Sequence, residues 1–407
     1  MTRRHLIAAS GAAALLPGGT ARAQAARTIK IGVLTDMSGP YKDLGGPNVV
    51  ACIRQAVQDS GVTARGYTVD VLVADHQNKA DIGSGIAREW FDRDGVDCVA
   101  DINNSGVAIA LTGLCREKDK VQLNTGAASS DIIGKYCTPN LIHWTFDSWQ
   151  TSHAVCVPVV QGGGTSWFFI TADYTFGHNT ERDATTFIKS TGGTVKGSAA
   201  YPFPGTSDFS SFLLQAQASG ARVLGLATSG TDTINIVKQA AEFGLTGSGM
   251  RIAGLGMYIN DIYGVGVQTA QGVVLSEIFY WDMNERTRAF SARVRSTMNG
   301  AAPNQEQAGG YSGVFNYLKT VAKLSAADAK SGRAVVEALK RSELDDDALG
   351  QGSIRSDGQA LHPAFLFQVK TPAQSNGPWD LYNTVATVPA ADAFRPMNEE
   401  ADCPLAR

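Results

Sequence analysis

The sequence predicts an α/β protein that contains two consecutive doubly wound units. Short apolar runs alternate with segments whose apolar residues recur at helical spacing, first over residues 27–145 and again over residues 147–275. Three consecutive strands of the first unit also end in loops of Ser, Asn, Thr and Gly. Loops at the carboxyl ends of parallel strands gather at one edge of the sheet, where ligands bind in such folds. That edge is therefore the first candidate site.

The first strand and its loop show the pattern that the rest of the chain repeats. The run 29–34 is apolar and partly β-branched, which is typical of a strand buried on both faces. It ends in the turn-forming segment 36–40, and residues 49–57 follow at helical spacing. Ser38 and the backbone amides near Tyr41 can hold an anionic group. A turn that binds nothing would have the same pattern.

The later elements follow from the same two patterns, taken in order. The first unit has further strands at 67–74, 97–102 and 121–124 and helices at 81–92 and 107–118. The second unit has strands at 141–146, 166–172, 194–200, 223–227 and 251–255 and helices at 151–161, 179–190, 209–219 and 233–243. The remainder has a strand at 273–279, helices at 284–298, 308–323 and 332–341, and a hairpin of 364–370 and 379–385. The last helices can complete either unit.

The N-terminus has the features of an export signal. Arg3 and Arg4 precede the apolar segment 6–16, and Ala21-Arg-Ala23 is a small-x-small cleavage site. We expect residues 1–23 to be a signal peptide that is cleaved near Ala23. The arginine pair fits both the twin-arginine and the general secretory route. No cysteine stands at the cleavage site, which argues against a lipid anchor.

Composition and cysteine usage exclude several classes. The 407 residues carry a formal net charge of -3, so no basic field favours nucleic acid. No run approaches the roughly 18 apolar residues that a membrane helix needs. An exported protein can form disulfides, and Cys137 and Cys403 both lie in irregular, proline-containing segments. We expect these two to pair, and Cys52 and Cys98 to be buried thiols.

The sequence does not have the motifs of an enzyme. The nucleophile elbow, the dinucleotide fingerprint and the P-loop pattern are all absent. The six histidines show no paired spacing for a metal. His143 and His178 fall near the expected site, but a lone histidine is usually a packing or surface residue. We therefore predict a binding protein with no metal and no cofactor.

Four segments, in the same order along the chain, resemble the type I periplasmic substrate-binding proteins of branched-chain amino-acid-type ABC transporters, the leucine/isoleucine/valine-binding-protein-like family. They are Ile31-Gly-Val-Leu-Thr-Asp-Met-Ser-Gly-Pro40, Asp173-Tyr-Thr-Phe-Gly177 with Ser207-Asp-Phe209 beyond the next helix, 219–245, and 303–317. The resemblance covers about 27–385. It implies two lobes joined by a three-stranded hinge, residues 27–146 plus 277–359 and residues 147–276 plus 360–407. It also implies a periplasmic protein, here expected to be a monomer, that closes over a small ligand and docks on a membrane permease.

The resemblance also implies the ligand-binding residues. Those of the first lobe are Ser38, Tyr41, Asn104, Ser105, Gly126, Ala127 and Ala128, and those of the second are Tyr174, Ser229, Met257 and Tyr258. The hydroxyls and amides of the first lobe would hold a carboxylate. Each residue has a purely structural alternative: Ser105 can cap its helix, Tyr174 can pack between the lobes, and Met257 and Tyr258 can belong to the core.

One departure from the family bears on the ligand. Amino-acid binders carry a glutamate after the strand that corresponds to 252–255, and it pairs with the ligand ammonium. The loop here is Gly256-Met-Tyr-Ile-Asn260, with no acid before Asp261. In the first loop, Leu44 replaces a tyrosine that the family often has a few residues after Ser-Gly-Pro. Burying an ammonium without a partner is costly. We therefore expect an aromatic, keto or hydroxy acid, although Asp147 or Asp232 can replace the missing acid. A branched-chain amino-acid binder, or a sensor of the same fold that signals to a receptor, are the alternatives.

Overall fold

The first sheet consists of five parallel strands. The computed structural model describes residues 27–397 together with Cys403 and Leu405, so the predicted signal segment and its cleavage site lie outside the described residues. The elements in chain order are β1 (Arg27–Thr35), α1 (Gly46–Asp59), β2 (Tyr67–Asp75), α2 (Ala80–Glu89), β3 (Cys98–Asp101), α3 (Ser105–Glu117), β4 (Val121–Asn124) and β5 (Leu141–His143). The strand order is β2-β1-β3-β4-β5. This order follows from helical crossovers between parallel strands.

The second sheet is larger and starts after β5. Its elements are α4 (Ser148–Gln161), β6 (Ser166–Ala172), α5 (Thr175–Ser190), β7 (Thr194–Tyr201), α6 (Ser210–Ala218), β8 (Val223–Ala227), α7 (Gly230–Glu242), β9 (Arg251–Gly254), α8 (Ile259–Val265), α9 (Val267–Ala270) and β10 (Val274–Glu277). β6 to β10 are parallel where they pair. The sequence did not predict α8 or α9.

The chain then returns to the first sheet before it completes the second. The elements are α10 (Glu285–Arg295), α11 (Gln305–Val321), α12 (Gly332–Lys340), β11 (Leu344–Asp346), β12 (Gly350–Ile354), β13 (Ala360–Leu361), β14 (Ala364–Val369), β15 (Tyr382–Val388) and α13 (Ala390–Ala393). The predicted hairpin is confirmed as β14 and β15, which are antiparallel. The second sheet has the order β15-β14-β10-β9-β8-β6-β7. β11, β12 and β13 form a small antiparallel sheet that the sequence did not predict.

Each sheet is covered by helices, and together they make two lobes. In the first lobe α1 and α11 pack together in one core cluster and α2 and α3 pack on the other face. The second sheet likewise has a core cluster on each face. The chain passes between the sheets after β5, after β10 and after β13. Three such connections allow the lobes to rotate against each other as rigid bodies.

The predicted disulfide is confirmed. Cys137 and Cys403 are bonded, with their Cα atoms 5.7 Å apart, and the bond ties the C-terminal segment to the loop between β4 and β5. Cys52 and Cys98 are buried thiols, as expected, and so are Cys115 and Cys156. In the described part of the chain no helix is long and apolar enough to cross a membrane.

Candidate ligand-binding cleft

A small pocket lies between the lobes, where the loops after the parallel strands of both sheets face each other. In this form its cavity volume is about 20 Å³, room for little more than one water molecule, so an organic ligand requires the lobes to move apart. The described residues that line it are Tyr41, Asn103, Ser105, Gly126, Ala127, Ala128, Tyr174, Phe176, Ser229 and Tyr258. None of these carries a charge.

Three helix N-termini converge on this pocket. Ser105 is the first residue of α3, Phe176 is the second of α5, and Ser229 directly precedes α7. Tyr258 precedes the short helix α8, but its own N–H donates to Asp261, so this end is already satisfied. The first turn of a helix presents unpaired N–H groups and a partial positive charge. Convergent N-termini are therefore a ready site for an anion such as a carboxylate. They provide this without any lysine or arginine in the pocket wall.

Aromatic side chains make up much of the remaining wall, and further rings outside the wall pack against them. Phe203 stacks on Tyr174 and on Tyr41, with ring centroids 4.6 and 5.2 Å apart. Phe146 meets Tyr258 edge-on at 5.3 Å. Burial raises the pKa of Tyr41, Tyr174 and Tyr258 well above the ordinary tyrosine value. These hydroxyls consequently stay protonated and can donate hydrogen bonds, while the rings favour a flat apolar body.

Direct contacts across the cleft show that the lobes are closed. The hydroxyl oxygens of Tyr41 and Tyr174 are 2.7 Å apart. The backbone N–H of Thr231 donates to the carbonyl of Pro40 at 3.1 Å. At the other side of the pocket Arg182 forms an ion pair with Asp131 at 2.9 Å. All three contacts join a residue of the first lobe to one of the second.

Eight of the eleven sequence-predicted residues line the pocket. They are Tyr41, Ser105, Gly126, Ala127, Ala128, Tyr174, Ser229 and Tyr258. The structure places the other three elsewhere. Ser38 is exposed and its hydroxyl donates to Asp75, Asn104 caps α3 by accepting from the N–H of Val107, and Met257 packs in the second-lobe core.

Sequence reasoning missed two lining residues, Asn103 and Phe176. Asn103 is adjacent to the predicted Asn104, and its side chain accepts from the N–H of Asp36 at 2.8 Å. Phe176 follows two residues after Tyr174 in the Asp-Tyr-Thr-Phe-Gly motif, so the motif carried the signal for it. Both positions depend on the turn of the backbone after a strand, which composition does not reveal.

The two acids considered as replacements for the missing glutamate do not line the pocket. Asp147 is buried and caps α4, accepting from the N–H of Gln150 at 2.7 Å. Asp232 is buried beside Tyr201, whose hydroxyl donates to it at 3.0 Å. A ligand ammonium in this pocket would find no charged side chain among the lining residues.

Two α/β lobes that close over a small pocket define a substrate-binding protein of the periplasmic type. The chain belongs to the periplasmic binding protein family, because the family model matches residues 28–378. It is thus a periplasmic solute-binding protein of the ABC-transporter class. The helices and parallel sheets described above are those of the type I fold.

Solved structures agree with this assignment. A periplasmic binding protein from Burkholderia mallei is 40% identical, with 93% of this chain and 99% of that chain covered and a TM-score of 0.87. A branched-chain amino acid ABC transporter periplasmic ligand-binding protein from Burkholderia xenovorans LB400 is 37% identical, with 93% and 100% covered and a TM-score of 0.81. A solute-binding protein from R. palustris in complex with 4-hydroxybenzoate is 19% identical, with 89% and 97% covered and a TM-score of 0.79, and shares the fold. A comparison with curated proteins gave no match.

Proposed function

We propose that this protein captures a small carboxylate with a flat apolar body, an aromatic, keto or hydroxy acid, and delivers it to an ABC permease. The observation that carries the proposal is an uncharged pocket with aromatic walls on which three helix N-termini converge. A carboxylate is stabilised there by N–H groups and hydroxyls. An α-amino acid would in addition bury an ammonium without a charged partner, which is costly.

Branched-chain amino acids are the second candidate. The Burkholderia xenovorans relative, at 37% identity, is named a periplasmic ligand-binding protein of a branched-chain amino acid ABC transporter. More distant relatives of 17–21% identity were solved with benzoate or hydroxybenzoates. The aromatic wall accepts both apolar bodies, so the ammonium is what distinguishes the two candidates.

A thermal-shift panel separates them. The matched pair is leucine and 4-methyl-2-oxopentanoate, which have the same side chain and carboxylate and differ at the ammonium. Benzoate and 4-hydroxybenzoate complete the panel. We expect stabilisation by at least one of the three acids without an ammonium and none by leucine, since a ligand stabilises a protein according to its affinity. Stabilisation by leucine alone would overturn the proposal.

The remaining parts of the proposal concern processing and partners. Residues 1–23 are a signal peptide removed near Ala23, and the mature chain acts as a monomer with lobes 27–146 plus 277–359 and 147–276 plus 360–407. Native mass spectrometry of protein purified from the periplasm tests the new N-terminus, the oligomeric state and any retained ligand together. For the partner, the loaded protein should stimulate ATP hydrolysis by its permease in vesicles. Stimulation of a sensor kinase instead would support the receptor alternative.

A further inference from the structure

Two buried acids lie beneath the pocket floor, and the proposed function does not yet use them. Asp101 is the last residue of β3 and Glu306 stands in the first turn of α11, with exposed fractions of 0% and 1%. The two carboxyl groups are close enough for each to influence the ionisation of the other. Asp101 Oδ2 and Glu306 Oε1 receive no hydrogen bond from any other described residue. A proton held between the two groups would satisfy both atoms, since two ionised carboxylates in contact repel each other.

The pair is one residue layer away from the ligand. A Cβ atom added to Gly126, which lines the pocket, would lie 3.0 Å from Asp101 Oδ1. Asn103, also in the pocket wall, contacts Glu306 and donates from Nδ2 to the carbonyl of Tyr41 at 3.3 Å. A charge on the pair is therefore close enough to act on a bound anion, because the intervening layer contains no bulk water.

The groups that face the pair from the neighbouring elements do not offset a negative charge. Asp36, from the loop after β1, accepts hydrogen bonds from three backbone amides and from Asn78 Nδ2. His76, from the loop after β2, is buried, and this lowers its pKa, so the ring is neutral. From the second lobe come the hydroxyls of Tyr174 and Tyr258, which feel the charge of Glu306. Hydroxyls of Thr35 and Thr125 bond Asp101.

The energetics favour a protonated pair. Burial raises the pKa of Asp101 to about 7, and the threonine hydroxyls oppose this rise. Burial and the charge of Asp101 raise the pKa of Glu306 well above its ordinary value. The pair of Asp101 and Glu306 therefore loses its last proton at neutral pH or above, where the carboxylate of the ligand is already ionised.

We propose that Asp101 and Glu306 form a proton-binding site coupled to the ligand, so that the cleft takes up an organic anion together with one proton. The inference rests on the proposed function. A doubly ionised pair adds a negative charge beneath the anion and weakens its binding. Conversely, a bound anion favours the protonated pair. Linkage limits the effect to a tenfold loss of affinity per pH unit for one proton.

Calorimetric titration with benzoate and with 4-methyl-2-oxopentanoate, from about pH 6 to about pH 9, tests the coupling. Buffers of different ionisation enthalpy count the protons taken up. For the unmodified protein we expect affinity to fall as the pH rises, with uptake of up to one proton per ligand. Glu306→Gln and Asp101→Asn keep the volume, but each leaves the other buried carboxyl, which can still titrate. The double variant removes both groups, so it should make the affinity independent of pH and abolish uptake.

Asp346→Asn is the matched control. Asp346 is another buried carboxyl beside α11, bonded to Ser312 and Asn316 and absent from the pocket wall. This variant should keep the pH dependence of the unmodified protein. An unchanged pH dependence in the double variant Asp101→Asn with Glu306→Gln, with the protein folded, would overturn the coupling.

Infrared difference spectroscopy of the ligand-free protein provides a second measurement that does not depend on the ligand. Other buried acids, Asp147 among them, also hold protons in this range, so the spectrum of the double variant Asp101→Asn with Glu306→Gln is subtracted from that of the unmodified protein. The band of a protonated carboxyl should remain in this difference at neutral pH, and its absence overturns the shared proton whatever the ligand is. If the band is present but neither acid binds, the proposed function fails and the coupling fails with it.

Discussion

The hydrogen bond between Tyr41 and Tyr174 crosses the cleft, so it exists only when the lobes are closed. The oxygens are 2.7 Å apart, and Tyr41 is 2% exposed. Tyr174→Phe removes one hydroxyl and leaves the other buried without a partner in the closed form. Such an orphaned group costs about 1–3 kcal/mol, whereas in the open form water satisfies it. We therefore expect ligand affinity to fall about fivefold to a hundredfold at about 1.4 kcal/mol per tenfold.

The double variant sharpens this prediction. Replacing both partners of a hydrogen bond by apolar groups is often nearly neutral, because no polar group is left orphaned. Tyr41→Phe combined with Tyr174→Phe should thus bind more tightly than the worse single variant. Calorimetry of all four proteins gives the coupling energy directly. Additive losses would refute the reasoning, since they would mean that each hydroxyl contacts the ligand independently.

Tyr311→Phe is the control for this cycle. Its hydroxyl donates to Asp59 at 2.9 Å within the first lobe, away from the cleft. The substitution should lower the melting temperature of the ligand-free protein and leave ligand affinity unchanged. An affinity loss equal to that of Tyr174→Phe would show that general destabilisation, rather than closure, explains the result.

Three further predictions concern closure, covalent stabilisation and pH. Gly230→Ala places a methyl group against the carbonyl of Pro40 across the cleft, so calorimetry should show at least about tenfold weaker binding. Gly66→Ala, also at positive φ but facing open space, should melt lower and bind normally. Replacing both disulfide cysteines by serine should cost about 2–5 kcal/mol in unfolding free energy, and reductant should have no further effect on that variant. Burial raises the pKa of Asp147 from 3.8 to about 7. The contribution of Asp147 to the free energy of unfolding is therefore full below about pH 4 and is lost as the pH rises through about 7. Asp147→Asn keeps the helix cap, and its melting temperature should vary less over that range; an unchanged slope contradicts the assignment.

The fold could be predicted largely from local pattern. The bounds of β6 and β8 agree with the sequence prediction, because strands buried on both faces are largely apolar runs that stop where the polar loop starts. The bounds of β4 agree as well, although Gln122 and Asn124 make it half polar. The helix α8 was missed although Ile259, Ile262 and Val265 recur three residues apart. Seven residues are too few for that spacing to stand out. The small sheet of β11 to β13 was missed because its strands are short and only partly apolar.

The site could be predicted to the level of loops but not of every side chain. Ser38 lies in the right loop, yet its hydroxyl is taken by Asp75, which the parallel pairing of β1 and β2 brings opposite Thr35. After β3, Asp101 and Ile102 both have positive φ. This turn directs the next residue, Asn103, into the pocket wall and leaves its neighbour to cap α3. Neither register nor left-handed backbone at non-glycine residues is visible in composition.

The acid pair also provides a second way to distinguish the two ligand classes. If the ligand were an amino acid, its ammonium would have no charged neighbour in the pocket wall, and Asp101 and Glu306 beneath the floor would be one source of negative charge near it. Ionisation of the pair would then help the ammonium and hinder the carboxylate, so leucine would bind with no loss of affinity as the pH rises. An organic acid without an ammonium experiences only the unfavourable effect. The direction in which affinity changes with pH, measured on whichever of leucine and 4-methyl-2-oxopentanoate binds, therefore shows whether the cleft suits a carboxylate alone or a carboxylate together with an ammonium.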